Sequence, residues 1–177
     1  YQNVYRRSFK AMWVPAPGGK LQAQPLEPIK LMKELKPVSI KQPKEGVWVI
    51  DFGQNIAGWV RFKVQGPEGQ LIVLRYSEIL HPDGTINQDH LKAAENYGSP
   101  LPMQTDVYRL SGIGVEEFDC HFTYHGFRYV QVEGLPYAPL PDDFIACVVR
   151  SSVAQIGYFE CGNDLINRIQ RNILWGE

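Results

Sequence analysis

The sequence predicts an all-β fold, an antiparallel β-sandwich or jelly roll followed by a C-terminal linker helix, and three features predict it. Short stretches that alternate apolar and polar residues recur from about Leu31 to Ser152. Each is bounded by Gly, Pro, Asp or Asn, and 16 Gly with 13 Pro in 177 residues suit a protein of many turns. A helical period of 3.6 emerges only over 163–175.

The elements follow in order. Residues 1–22 alternate loosely around Phe9, Met12, Trp13 and Val14 before Pro15-Ala16-Pro17-Gly18-Gly19, and read as the tail and exit linker of an upstream β-domain. Residues 23–153 are the sandwich module. Its first segment, 24–29, holds too many prolines for a central strand and is expected along an edge. Strands are expected at 47–52 and 59–64, where Val60, Phe62 and Val64 alternate with Trp59, Arg61 and Lys63. The turn Gly66-Pro67-Glu68-Gly69 then predicts a hairpin to a strand carrying Ile72, Leu74 and Tyr76. Further strands are expected at 104–110, 117–123, 127–133 and 143–150. The long insertion 81–103 is the natural functional loop. Residues 154–177 hold a strand and the start of a helix, with Asn163 as its N-cap and Leu165, Ile166, Ile169, Ile173 and Leu174 on one face. That stripe has no second helix in the sequence to pack against, and the chain begins at Tyr1, so it is read as a piece of a longer protein.

Composition excludes several functions. The net charge is −1, from 18 basic and 19 acidic residues, which does not suit nucleic-acid or polybasic membrane binding. No apolar run reaches the ~20 residues of a membrane helix. Cys120, Cys147 and Cys161 are too widely spaced for a C-x-x-C metal pair and are read as small buried hydrophobes.

No catalytic or metal constellation stands out. Glu78 and Asp83 are a conceivable carboxylate pair for glycoside hydrolysis, but Asp83-Gly84 is first a turn signal. Glu116, Glu117 and Asp119 read as a solvated strand entry. His121 and His125 are candidate metal ligands without an acidic partner nearby in sequence, so structural histidines are the simpler reading. Phosphate loops and nucleophile elbows are absent. Trp48, Trp59, Tyr76, Tyr97, Tyr124 and Tyr129 are candidates for stacking on sugar rings, although aromatics on alternating strands are mostly core.

Four segments in order carry a resemblance. They are Asp51-Phe52-Gly53-Gln54-Asn55-Ile56-Ala57-Gly58-Trp59; Arg75-Tyr76-Ser77-Glu78-Ile79-Leu80 with Asp83-Gly84-Thr85; Phe122-Thr123-Tyr124-His125-Gly126-Phe127-Arg128-Tyr129-Val130; and Phe159-Glu160-Cys161-Gly162-Asn163 leading to Arg171-Asn172-Ile173-Leu174-Trp175-Gly176. Over 24–177 the chain resembles the β-sandwich module preceding the catalytic (α/α)6 barrel of bacterial α-L-rhamnosidases, glycoside hydrolase family 78. The resemblance implies a multidomain parent that cleaves terminal α-L-rhamnose with inversion, using an acid and a base on the barrel. The barrel's acidic motifs have no counterpart here, so the implied catalytic set of this piece is empty and it is expected to be inactive alone. Its implied partners are the barrel and the parent's rhamnose-containing glycan. The compartment, periplasmic, secreted or cytoplasmic, stays open.

In this light Asp51, Gly53, Asn55, Gly58, His125 and Arg128 are read as architectural. Gly53 and Gly58 permit a tight corner between two strands, Asp51 and Asn55 satisfy backbone donors there, and Arg128 points away from Phe127 and Tyr129. No metal or cofactor is expected. The alternative is a module that binds L-rhamnose, with calcium held by Asp83, Asn87, Asp89 and Asn96 of the 81–103 loop. An unrelated lectin or assembly domain is a third reading.

Overall fold

The structure is a computed structural model and describes residues 10–91, 104–120 and 122–176. Among the described residues it contains eight strands, β1 (Ile29–Leu35), β2 (Ser39–Lys44), β3 (Val47–Gln65), β4 (Leu71–Ser77), β5 (Thr105–Arg109), β6 (Val115–Phe118), β7 (His125–Glu133) and β8 (Phe144–Ser151), and one α-helix, α1 (Asp164–Gly176). All pairings are antiparallel, and the backbone path runs β1-β8-β3-β7-β4-β5, with β2 and β6 also on β3. This is the expected β-sandwich with a C-terminal helix.

One strand joins the two layers. Ile50, Phe52, Ile56, Val60, Phe62 and Val64 are buried at even positions throughout β3, so its inward face never changes over 19 residues. Val47–Asp51 pairs with β2 on one edge and β7 on the other, whereas Gly58–Phe62 pairs with β8 and Phe62–Gln65 with β6. The two separate strands expected at 47–52 and 59–64 are therefore one strand that bends from one layer into the next. The bend falls where the register with β7 jumps from Asp51↔Tyr129 to Ile56↔Phe127.

The expected hairpin across 66–69 does not form. At Phe62 both edges of β3 are taken, by Phe118 and by Phe144, so no edge is left for β4. The turn instead carries the chain across to the other layer, where β4 pairs with β5 and β7. Gly69 donates its N–H to Leu110 O at 2.8 Å and Leu110 returns one to Gln70 O at 2.9 Å, tying the turn to the end of β5.

Between the layers Phe62 lies 5.9 Å from Phe144, 5.7 Å from Phe118 and 5.9 Å from Tyr108, ring centre to ring centre. Ile72, Leu74, Val130, Val132 and Ala146 complete a fully buried interior. Burial of such side chains, worth about 1.5–3 kcal/mol each, is the main driving force for the fold.

Other boundaries shift. The edge strand begins at Ile29, after Pro25 and Pro28, because proline has no N–H to give the ladder to β8; Pro28 joins only through its carbonyl, which accepts the Ser152 N–H at 3.0 Å. β6 ends at Phe118, short of the expected 123, and β2 is a separate strand whose two-residue turn to β3 relies on Gly46 at φ +72°. Residues 10–28 form no strand, and 1–9 lie outside the described residues. In α1, Asn163 Oδ1 accepts N–H bonds from Leu165 at 3.0 Å and Ile166 at 3.3 Å. Trp175 packs on the core with Lys33 Nζ 5.2 Å from its ring centre.

Candidate functional site

The corner of β3 is built from a mismatch. Four residues of β3, 52–55, face the single residue Arg128 of β7 between the pairs Asp51↔Tyr129 and Ile56↔Phe127. Phe127 and Val130 are both fully buried three positions apart, so alternation fails between them and Arg128 and Tyr129 both leave the core side. Arg128 therefore does not point away from Tyr129, as strict alternation required; its guanidinium lies 5.0 Å from that ring's centre.

Arg128 closes the corner through Asp51. Its Nε and terminal nitrogen donate to the two carboxylate oxygens at 2.8 and 2.9 Å, and Gly53 N–H donates to the same carboxylate at 2.7 Å. Burial pushes the Asp51 carboxyl upward, but the hydrogen bonds from Arg128 and Gly53 outweigh it and hold it below its ordinary value. Gly53 takes φ +75° there, which disfavours side chains. Gly58 answers to proximity instead: a Cβ on it would lie 1.8 Å from the Cys147 carbonyl oxygen of β8. Asn55 takes a role other than the expected one of accepting from backbone N–H groups: its amide donates to Glu78 Oε1 at 2.9 Å.

A buried polar cluster lies beside the corner. His125, paired with Gly58, places Nε2 3.1 Å from both oxygens of Asp106 on β5. Tyr76 O–H donates to Asp106 at 2.7 Å, Cys120 Sγ lies 3.3 Å from it, and the Tyr76 and His125 rings stack at 4.2 Å. Burial pushes Asp106 upward, but its bonds from His125 and Tyr76 prevail and the carboxyl titrates low. Burial, with the Asp106 charge, also raises the Cys120 thiol. That thiol donates to the carboxylate, not to the imidazole, so the group has none of the order of a Cys-His nucleophile pair.

Asp106 was missed in the sequence because it precedes His125 by 19 residues and reaches it only across β4. A signal existed: Asp106, Tyr108 and Leu110 share the inward parity of β5, so a carboxylate on that face calls for buried donors. The other acidic candidates are likewise committed. Glu78 holds Asn55, and Asp83 accepts from Thr85 N–H at 3.0 Å, Thr85 Oγ1 at 2.6 Å and Lys44 at 3.0 Å. Glu116, half-exposed at the start of β6, binds the Ser111 and Gly112 N–H groups and Tyr108 O–H. Asp119 accepts from Trp59 Nε1, and Glu117 pairs with Arg61 and Lys63.

Among the described residues no three His, Cys, Asp or Glu side chains gather, and Asn87 Oδ1 is used by Asp89 N–H. Asn96, Tyr97 and His121 lie outside the described residues. Among the aromatic candidates Tyr76 is core, Trp48 packs on the core and Tyr124 is exposed. Tyr129 lines a groove of about 350 Å³ between β2 and the turn at 80–84, with Val49 and Asp51. A second groove, of about 290 Å³, lies between Ile56, Tyr124, Val148 and Trp175.

Comparison with known proteins places this geometry. Residues 41–150 match the family described as Bacterial alpha-L-rhamnosidase concanavalin-like domain. The chain is 38% identical over 158 residues to an alpha-L-rhamnosidase of Streptomyces avermitilis and 34% over 155 to one of Formosa agariphila, matches that take in 89% and 88% of the chain. It spans only 15% and 16% of the length of those curated relatives. The solved alpha-L-rhamnosidase of Dictyoglumus thermophilum superposes at TM-score 0.81 with 40% identity over 92% of this chain and 18% of that one. The Streptomyces avermitilis enzyme complexed with L-rhamnose superposes at 0.79 with 38% identity over 87% and 14%.

Proposed function

This chain belongs to the bacterial alpha-L-rhamnosidase concanavalin-like domain family, and on that premise we propose that it is the non-catalytic β-sandwich module of a multidomain α-L-rhamnosidase and braces the catalytic domain. The parent hydrolyses terminal α-L-rhamnose with inversion, its acid and base lying outside this module.

The observation that carries the bracing role is the C-terminal surface. Ile156 is 97% exposed and Tyr158 88%, and α1 continues the apolar face with Leu165 at 64%, Ile169 at 50% and Ile173 at 54%. An amphipathic helix with its apolar stripe uncovered is a helix whose packing partner lies elsewhere. Five of the carboxylates lack what a glycosidase acid requires. A glycosidase acid needs a raised pKa, whereas Asp51, Asp83, Asp106, Glu116 and Asp142 are all held low by hydrogen bonds and ion pairs that outweigh burial.

Two measurements test this. The 177-residue chain alone leaves an aryl α-L-rhamnoside uncleaved, and the full reading frame cleaves it; turnover by the chain alone overturns the reading. In the full-length enzyme, Ile169→Asp with Ile173→Asp exposes new protease sites at the module boundary and lowers the unfolding temperature of the catalytic domain. An unchanged catalytic domain refutes the bracing role.

A further inference from the structure

We infer that the groove between β2 and the 80–84 turn is a binding site for one neutral, polyhydroxylated ring, a single monosaccharide unit. This goes beyond the bracing role, which places no ligand on this face. The groove's volume of about 350 Å³ lies at the small end of the range for small-molecule sites. Val49 and Tyr129 provide an apolar floor and Leu80 an apolar wall, beside the Ser39 hydroxyl, the Gln42 amide and the Lys41 ammonium. Aliphatic and aromatic surface next to hydrogen-bonding groups matches a sugar ring, with its C–H face and its rim of hydroxyls.

Both anions on the groove are matched. Each anion on the groove has a cation of its own: Asp83 has Lys44, and Asp51 has Arg128. The charge of Lys41 acts on Asp51 as well. No unmatched anion remains to draw an ammonium group, and the one cation left over, Lys41, is an exposed side chain whose ammonium can donate to hydroxyls. The Ser39, Lys41 and Gln42 side chains, in contrast, donate to no protein group among the described residues, which leaves them for hydroxyls.

The walls are preformed. Ser39↔Asp51 and Lys41↔Val49 fix β2 on β3, and Asp51↔Tyr129 fixes β7 beside them. The opposite wall is held by His81 N–H on Thr85 O at 2.8 Å, Gly84 N–H on His81 O at 2.9 Å and Ile86 N–H on Gln131 Oε1 at 3.2 Å. A ligand thus orders little on entry, which limits the entropic cost of binding.

The test is an amide-shift titration of the 177-residue chain by NMR with L-rhamnose, D-glucose and sodium phosphate as separate probes. The proposal expects saturable shifts at Ser39, Lys41, Val49, Gly84 and Tyr129 with at least one sugar, a dissociation constant on the order of 1 mM, and no change on adding a chelator. Tyr129→Leu weakens binding about tenfold while Tyr129→Phe retains it, because the ring and not the hydroxyl makes the floor. Gln42→Ala, at an exposed edge where folding is not at stake, weakens it several-fold. No saturable shift at tens of millimolar sugar overturns the proposal, as do shifts confined to other surfaces or an equal response to phosphate. The bracing role is tested in the full-length enzyme at α1, so failure of one leaves the other standing.

Discussion

Replacing Asp106 by Ala is expected to destabilise the module by about 3 kcal/mol, and the cluster supplies the arithmetic. Two strong donors, Tyr76 O–H and His125 Nε2, lose their acceptor; Tyr76 is 0% exposed and the His125 side chain 8%. A buried donor left without a partner costs about 1–3 kcal/mol, so two cost about 2–6 kcal/mol. Against this, the folded state no longer desolvates a carboxylate, which places the expectation in the lower half of that range. Tyr76→Phe removes one hydrogen bond together with its donor and costs about 1 kcal/mol. Combining it with Asp106→Ala costs less than the sum, because one orphaned donor is then gone. The assay is urea unfolding of all three variants followed by fluorescence, with linear extrapolation at a common slope. A cost for Asp106→Ala below about 1 kcal/mol, or strict additivity in the cycle, refutes the reasoning.

The same residue sets a pH dependence. The folded Asp106 carboxyl titrates below its unfolded value, so its contribution is present above about pH 4 and is lost as pH falls through the folded pKa. Asp51 acts in the same direction, and Asp106→Asn flattens the acid limb of a stability profile measured from pH 7 to 3. Gly58→Ala forces β3 and β8 apart, since the added carbon meets backbone and not a movable side chain; a loss of about 3 kcal/mol or more is expected in thermal unfolding, against about 1–2 for Gly46→Ala, which has open space but positive φ. Asn163→Ala removes the cap of α1 and costs about 1 kcal/mol, read as earlier loss of helical dichroism on heating. Burial pushes the Cys147 thiol up to about 11 and raises Cys120 too, so Cys161, half-exposed, reacts first with a thiol reagent at pH 8, and the other two only on unfolding.

Legibility in the sequence followed the range of the interactions involved. The period-2 burial of β3 and β4 was visible, because alternation is a property of neighbours. So were the helix and its cap, since Asn163 serves N–H groups two and three residues on. The hairpin at 66–69 was misjudged for the complementary reason: its turn residues are real, but whether two strands pair depends on which edges distant strands have already filled. Arg128 shows the same limit within one strand, where a three-residue excess in β3 overrode alternation in β7.

Family membership, the all-β class and the inward residues of β3 and β4 were therefore settled by the order of residues alone, because each rests on local chemistry. The bend of β3, the bonding of Asp106 to His125 and Tyr76, and the groove floored by Val49 and Tyr129 were decided only in three dimensions. They join residues 19 to 80 positions apart in the chain, where the partner is chosen by the packing of two layers and not by spacing.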